Sequence, residues 1–115
     1  RIGVESVLIT RGEHGMWLLE GSRDGDRSIP EREVELPAMA REVADVTGAG
    51  DTVTAWMGTA LAAGATVREA AQLANYAAGV EVGKPGVATV TPEEVLAVYE
   101  EKFDRAGKLR REGLI

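Results

Sequence analysis

Residues 45–52, DVTGAGDT, set two carboxylates around Gly48, Ala49 and Gly50. Directly after them the apolar residues Val53, Trp56, Met57, Ala60 and Leu61 recur at spacings of three and four, the mark of one helix face. A helix N-terminus offers unpaired backbone N–H groups and the positive end of the helix dipole. Gly48, Ala49 and Gly50 carry almost no side chain, so an anion can come close to those groups. Asp51 falls in the first turn, where a carboxylate is favoured in its charged form, and it suits a general base for a hydroxyl. The chemistry in view is a phosphate held beside a base. A plain glycine turn followed by a first-turn acid fits the same residues, and local physics leaves both readings open.

Other residues bear on the same question. TRGEHG (10–15) reads as a hairpin turn, and a hairpin backbone can also face a ligand. Asn75 sits inside an alanine-rich helical pattern, where asparagine is a poor choice because its side chain competes for backbone groups. GKPG (83–86) is not a phosphate-binding Walker loop: Pro85, not Ser or Thr, follows Lys84, so Lys84 reads as a surface lysine. Asp45 by itself reads as a turn residue making an Asx-type hydrogen bond. His14, the one histidine, lies in the hairpin turn and is expected in solvent, which leaves no triad and no zinc site. The chain has no cysteine, so disulfides, thiolate zinc sites and thiol nucleophiles are excluded.

The elements that must hold these residues are legible from periodicity. SVLIT (6–10) reads as a buried strand, GMWLLE (15–20) as its hairpin partner, and REVELPA (32–38) as a half-buried strand ended by Pro37. GSRDGDRS (21–28) has the composition of an exposed loop. The first helix runs from Asp51 to a stop at Gly64. TVRE (66–69) is a capping box opening a second helix through Val82, and the Gly79 within it implies a close neighbour. TPEE (91–94) opens a third helix, with Pro92 at its first position and Val95, Leu96, Tyr99 and Phe103 on its apolar side. Residues 106–115 read as a fraying end or linker, and Trp17 and Trp56 as core. Strands followed by three helices suit the later part of an α/β domain.

Composition narrows the function classes. The net charge of −6 argues against nonspecific nucleic-acid binding, which needs a basic footprint. No apolar run approaches the ~20 residues of a membrane span, and no signal peptide is visible. A cytoplasmic location is the expectation. The chain opens on Arg1, directly before a strand-like segment, which suggests a fragment whose missing part lies upstream.

DVTGAGDT resembles the DTxGAGD signature of the ribokinase-like (PfkB) carbohydrate kinases, with Val46 in place of the usual Thr. The likeness extends through LITRGEHGMWLL, REVADVTGAGDTV and LAAGATVREAAQLANYAAGVEVGKPGVATVTPEE, about residues 5 to 98, and VGKPGVATV draws it toward the RfaE-type heptose 7-phosphate kinases. The resemblance implies the C-terminal, nucleotide-binding portion of a three-layer α/β/α, Rossmann-like domain over residues 1–115. It implies Asp51 as the catalytic base and Gly48, Ala49 and Gly50 as an anion hole. It sets Thr10, Gly12, Gly15, Asn75 and Gly86 along the nucleotide. It makes Asp45, Thr47 and Thr89 ligands of a monovalent cation such as K+. The implied cofactors are ATP and Mg2+, with the Mg2+-associated acidic motif and the sugar-binding residues upstream. The implied reaction transfers the γ-phosphoryl of ATP to the anomeric hydroxyl of heptose 7-phosphate. Activity would need the missing N-terminal part or a homo-oligomer to complete the site. Two alternatives stand beside it: a truncated kinase-like module that binds a nucleotide or a partner without catalysis, and a kinase for another sugar or a nucleoside.

Overall fold

The computed structural model describes residues 5–21, 32–39, 43–86 and 88–113, with Phe103, Ala106 and Arg110 described by backbone alone. The loop expected over 21–28 lies outside the described residues apart from Gly21, and the apolar role expected of Phe103 also lies outside them.

Three strands form one antiparallel sheet in the order β1 (Ser6–Thr10), β2 (Met16–Glu20), β3 (Arg32–Leu36). The register pairs Leu8 with Leu18 and Leu18 with Val34, so these residues share one face. That face is covered by α1 (Ala49–Ala62) and α2 (Val67–Val82), and Met16, Leu18, Leu36, Val53, Ala71 and Ala74 close into a single core. Ala70, Ala71, Ala74 and Ala77 are fully buried. With only methyl groups between them, α1 and α2 approach closely, and theirs is the most extensive contact in the molecule. A partly buried bond from Arg68 Nε to Glu20 Oε1, 2.9 Å, ties the first turn of α2 to the end of β2. The third helix, α3 (Pro92–Arg111), packs on α2 through an edge-to-face pair of Tyr76 and Tyr99, with the Lys102 ammonium 5.6 Å from the Tyr76 ring centre.

The helix ends obey their sequence signals. Thr66 and Glu69 complete a reciprocal capping box, and Thr91 and Glu94 make the same exchange. After Ala62 the Gly64 amide bonds Leu61 O and the Ala65 amide bonds Ala60 O, the two bonds of a Schellman stop.

Four expectations need correction. β1 is not a buried strand: it has one neighbour, and Val7 and Ile9 are 36% and 46% exposed on the sheet face that no described element covers. Trp17 shares that face and is half-buried outside the core, while Trp56 does pack against the core. The first helix begins at Ala49, two residues before Asp51, because Gly48 serves as its N-cap. The third helix passes residue 106 and continues to Arg111, as its run of Lys, Leu and Arg favours. Of the three layers implied by the resemblance, the described residues supply the sheet and the helical layer on one face.

Candidate active site

Between the sheet's turn end and the first turn of α1 lies a cleft of about 680 Å³. Its walls are the hairpin turn (Thr10, Gly12, Glu13, Gly15), the chain leaving β3 (Ala38, Met39), the segment before α1 (Val43, Val46), the first turn of α1 (Ala49, Gly50, Val53) and the last turns of α2 (Asn75, Ala78, Gly79, Val82).

Two joints shape this cleft. At Gly15, φ is +80°, and a Cβ there would lie 2.0 Å from the Leu36 carbonyl oxygen and 2.7 Å from the Ala38 nitrogen. Only glycine lets the hairpin turn and the β3 exit lie against each other. From the other side the Asn75 side-chain amide donates to the Pro37 carbonyl oxygen at 2.8 Å. Asn75, 7% exposed, thus lines the cleft and also fastens α2 to the β3 exit.

The segment before α1 is fixed with equal care. The amides of Ala44 and Asp45 both donate to the Val82 carbonyl, at 2.8 and 3.2 Å, so the entry to the motif is tied to the end of α2. Asp45 Oδ1 accepts from the Thr47 amide at 2.8 Å and the Thr47 hydroxyl at 2.6 Å. These bonds, with a further one from the Gly86 amide, hold the Asp45 carboxyl below the usual carboxylate range. Gly48 then turns the chain in the left-handed region, φ 83°, and its carbonyl accepts the first helical bond from Thr52. The Ala49 amide reaches the Val46 carbonyl at 3.3 Å, whereas among the described residues those of Gly48, Gly50 and Asp51 have no protein acceptor. Gly50 and Asp51 are exposed. A Cβ built on Gly50 would meet nothing within 4 Å, so protein packing does not require a glycine there.

The structure therefore brings Thr10, Gly12, Gly15, Ala49, Gly50 and Asn75 into one cleft. Gly48 lies directly behind Ala49, and Asp51, exposed and without a hydrogen-bond partner among the described residues, stands at the rim beyond Gly50. Asp45, Thr47, Gly86 and Thr89 do not line the cleft. They belong to the structure behind it, where Gly86 holds Asp45 and Asp45 holds Thr47.

Sequence reasoning missed two features. Lys84 is not a free surface lysine: its ammonium pairs with Glu94 and donates to the Thr89 carbonyl at 2.9 Å. Its position one residue before a proline, with acids three residues into the next helix, is a weak signal at best. Glu81 is fully buried, and neither carboxylate oxygen has a hydrogen-bond partner. Its only trace in the sequence is an acid in a stripe otherwise occupied by Ala70, Ala74 and Ala77.

A cleft bounded by a glycine hairpin, an open helix N-terminus and an exposed first-turn acid defines the class of phosphate-binding α/β proteins. The chain belongs to the pfkB family of carbohydrate kinases, whose model matches residues 1–94. It is 47% identical over its whole length to the bifunctional protein HldE of Nitrosococcus oceani, covering 23% of that protein, and 54% identical over 82% of its length to HldE of Halorhodospira halophila, covering 18%. The chain thus spans about a fifth of the length of these curated relatives. Among solved structures it is similar to a ribokinase from Thermotoga maritima, with a TM-score of 0.72 and 25% identity over 85% of this chain and 31% of that one. A ribokinase from Arabidopsis thaliana complexed with ribose and ATP gives a TM-score of 0.67 at 28% identity, over 84% and 29%. Among the described residues no helix is long and apolar enough to cross a membrane.

Proposed function

We propose that this chain forms the nucleotide-phosphate end of an ATP-dependent sugar kinase, acting on heptose 7-phosphate at its anomeric hydroxyl. One observation carries the reading: three amides without acceptors, at the positive end of α1, open beside a 680 Å³ cleft with an unpartnered carboxylate at its rim. Within it, Thr10, Gly12 and Gly15 lie along the nucleotide, and Asn75 fixes the cleft wall. The amides of Gly48, Ala49 and Gly50 face the charge that develops on the transferred phosphoryl, and donors so placed contribute on the order of 3 kcal/mol each. Asp51 takes the proton of the acceptor hydroxyl, a role worth about 10²–10⁴ in rate. ATP supplies the phosphoryl group when bound. No cluster of three His, Asp or Glu side chains among the described residues suits a metal, so no step is assigned here to Mg2+. The heptose acceptor rests on the HldE relatives, and the sugar-binding residues belong to a part of the kinase beyond this chain.

The test is ADP formation by the full-length protein with Mg–ATP and heptose 7-phosphate, compared with Asp51→Asn. The variant should retain ATP binding and lose about 10²-fold or more of its turnover. Near-native turnover would reject Asp51 as the base. Stabilisation of the native protein by Mg–ATP without ADP formation on any sugar or nucleoside acceptor would instead favour a binding module.

A further inference from the structure

The resemblance offers Asp45, Thr47 and Thr89 to a monovalent cation, and the residues present do not fit one. The Asp45 carboxylate is taken by the Thr47 amide and hydroxyl and by the Gly86 amide. At the Thr89 carbonyl a cation is already in place: the Lys84 ammonium, 2.9 Å away. That ammonium also pairs with Glu94, whose other oxygen accepts from the Thr91 amide at 3.1 Å. A chain of contacts therefore runs from the first turn of α3 through Lys84 into the 83–91 loop, and from Gly86 of that loop to Asp45, just ahead of the open amides. An ammonium and a potassium ion make oxygen contacts of similar length, and a second cation at the same carbonyl would meet like-charge repulsion.

We propose that Lys84 is a positioning residue whose ammonium takes the place of a monovalent cation, so that catalysis by this protein does not depend on potassium. The proposal rests on the kinase reading above. It holds Lys84 responsible for the set of the loop, with no contact to substrate.

The experiment measures ADP formation by the full-length protein in tetramethylammonium chloride and in potassium chloride, for the native protein, Lys84→Met and Lys84→Arg. Melting temperatures are recorded in both salts. The native rate should differ by less than about twofold between salts. Lys84→Met should lose about tenfold or more in kcat without potassium and recover with it, while Lys84→Arg stays near native. The melting temperature of Lys84→Met, but not of the native protein, should rise in potassium. Strong potassium activation of the native protein overturns the proposal, and so does a Lys84→Met defect that potassium does not repair. If Lys84→Met does not fold, the native salt response still decides. Failure of the kinase reading is a separate result: no ADP in either salt, with the melting temperatures still reporting on Lys84.

Discussion

Gly50 is the residue at which stability and function should part. A methyl group there meets no protein atom, and alanine is favoured over glycine in a helix by up to about 1 kcal/mol. Gly50→Ala should therefore melt at the same temperature or higher, yet lose about 10²-fold in kcat because the methyl enters the space reserved for the phosphoryl group. A variant that is both stable and fully active would show that nothing approaches this amide. Glu81 gives the opposite lesson. Its buried, unbonded carboxylate costs on the order of 1–3 kcal/mol, so Glu81→Leu should raise stability by about that amount in thermal denaturation at neutral pH. A loss of stability would mean that the carboxylate has a partner in solution. The motif around Gly50 was legible in the sequence because small residues, an acid and a helical period coincide over eight positions. Lys84 and Glu81 were not, since what matters there is contact across the fold, to Thr89 and Glu94 in one case and to a buried alanine stripe in the other.

At the scale of elements, the cleft depends on how the hairpin, the β3 exit and α2 are joined. Gly15→Ala would drive a methyl into the Leu36 carbonyl and strain a left-handed backbone, and should cost about 2–4 kcal/mol as read by denaturant unfolding. An unchanged midpoint would place the hairpin turn away from β3. The caps make a second prediction. Thr66 bonds hold Glu69 below its ordinary value, Lys84 and then Thr91 do so for Glu94, and Thr47 and Gly86 for Asp45. A carboxyl lowered in the folded state contributes stability that is present above its unfolded pKa, ordinarily 3.8 for Asp and 4.5 for Glu, and is lost as pH falls through the folded value. The melting temperature should stay level above about pH 5 and decline below about pH 4, and Glu94→Gln should flatten part of that decline. Helix starts and stops were readable because Thr66, Thr91 and Gly64 act within a few residues of themselves. The burial of β1 was misread because SVLIT has the composition of a covered strand, while its cover depends on neighbours that local sequence does not name.

For the whole molecule, the sheet face bearing Val7, Ile9, Trp17 and Leu19 is the unfinished part. The register sets these four side by side, and no described element packs over them. In a domain whose relatives are about four times longer, that face is where the rest of the kinase would bury its own apolar surface. By itself the chain should associate in solution, and light scattering at rising concentration should show a growing mean mass, whereas a constant monomer mass would argue that the face is self-sufficient. The three-layer plan was legible as a class from the strand-then-helix order, but how much of it is realised is a property of packing.

The most direct measurement concerns the amides themselves. In the full-length protein with nitrogen-labelled backbone, the resonances of Gly48, Gly50 and Asp51 are followed while ATP or adenosine is added. The account predicts saturable shifts at all three with ATP and little movement with adenosine. If ATP binds and these three resonances stay where they were, the helix N-terminus does not hold the terminal phosphate, and the kinase site lies elsewhere.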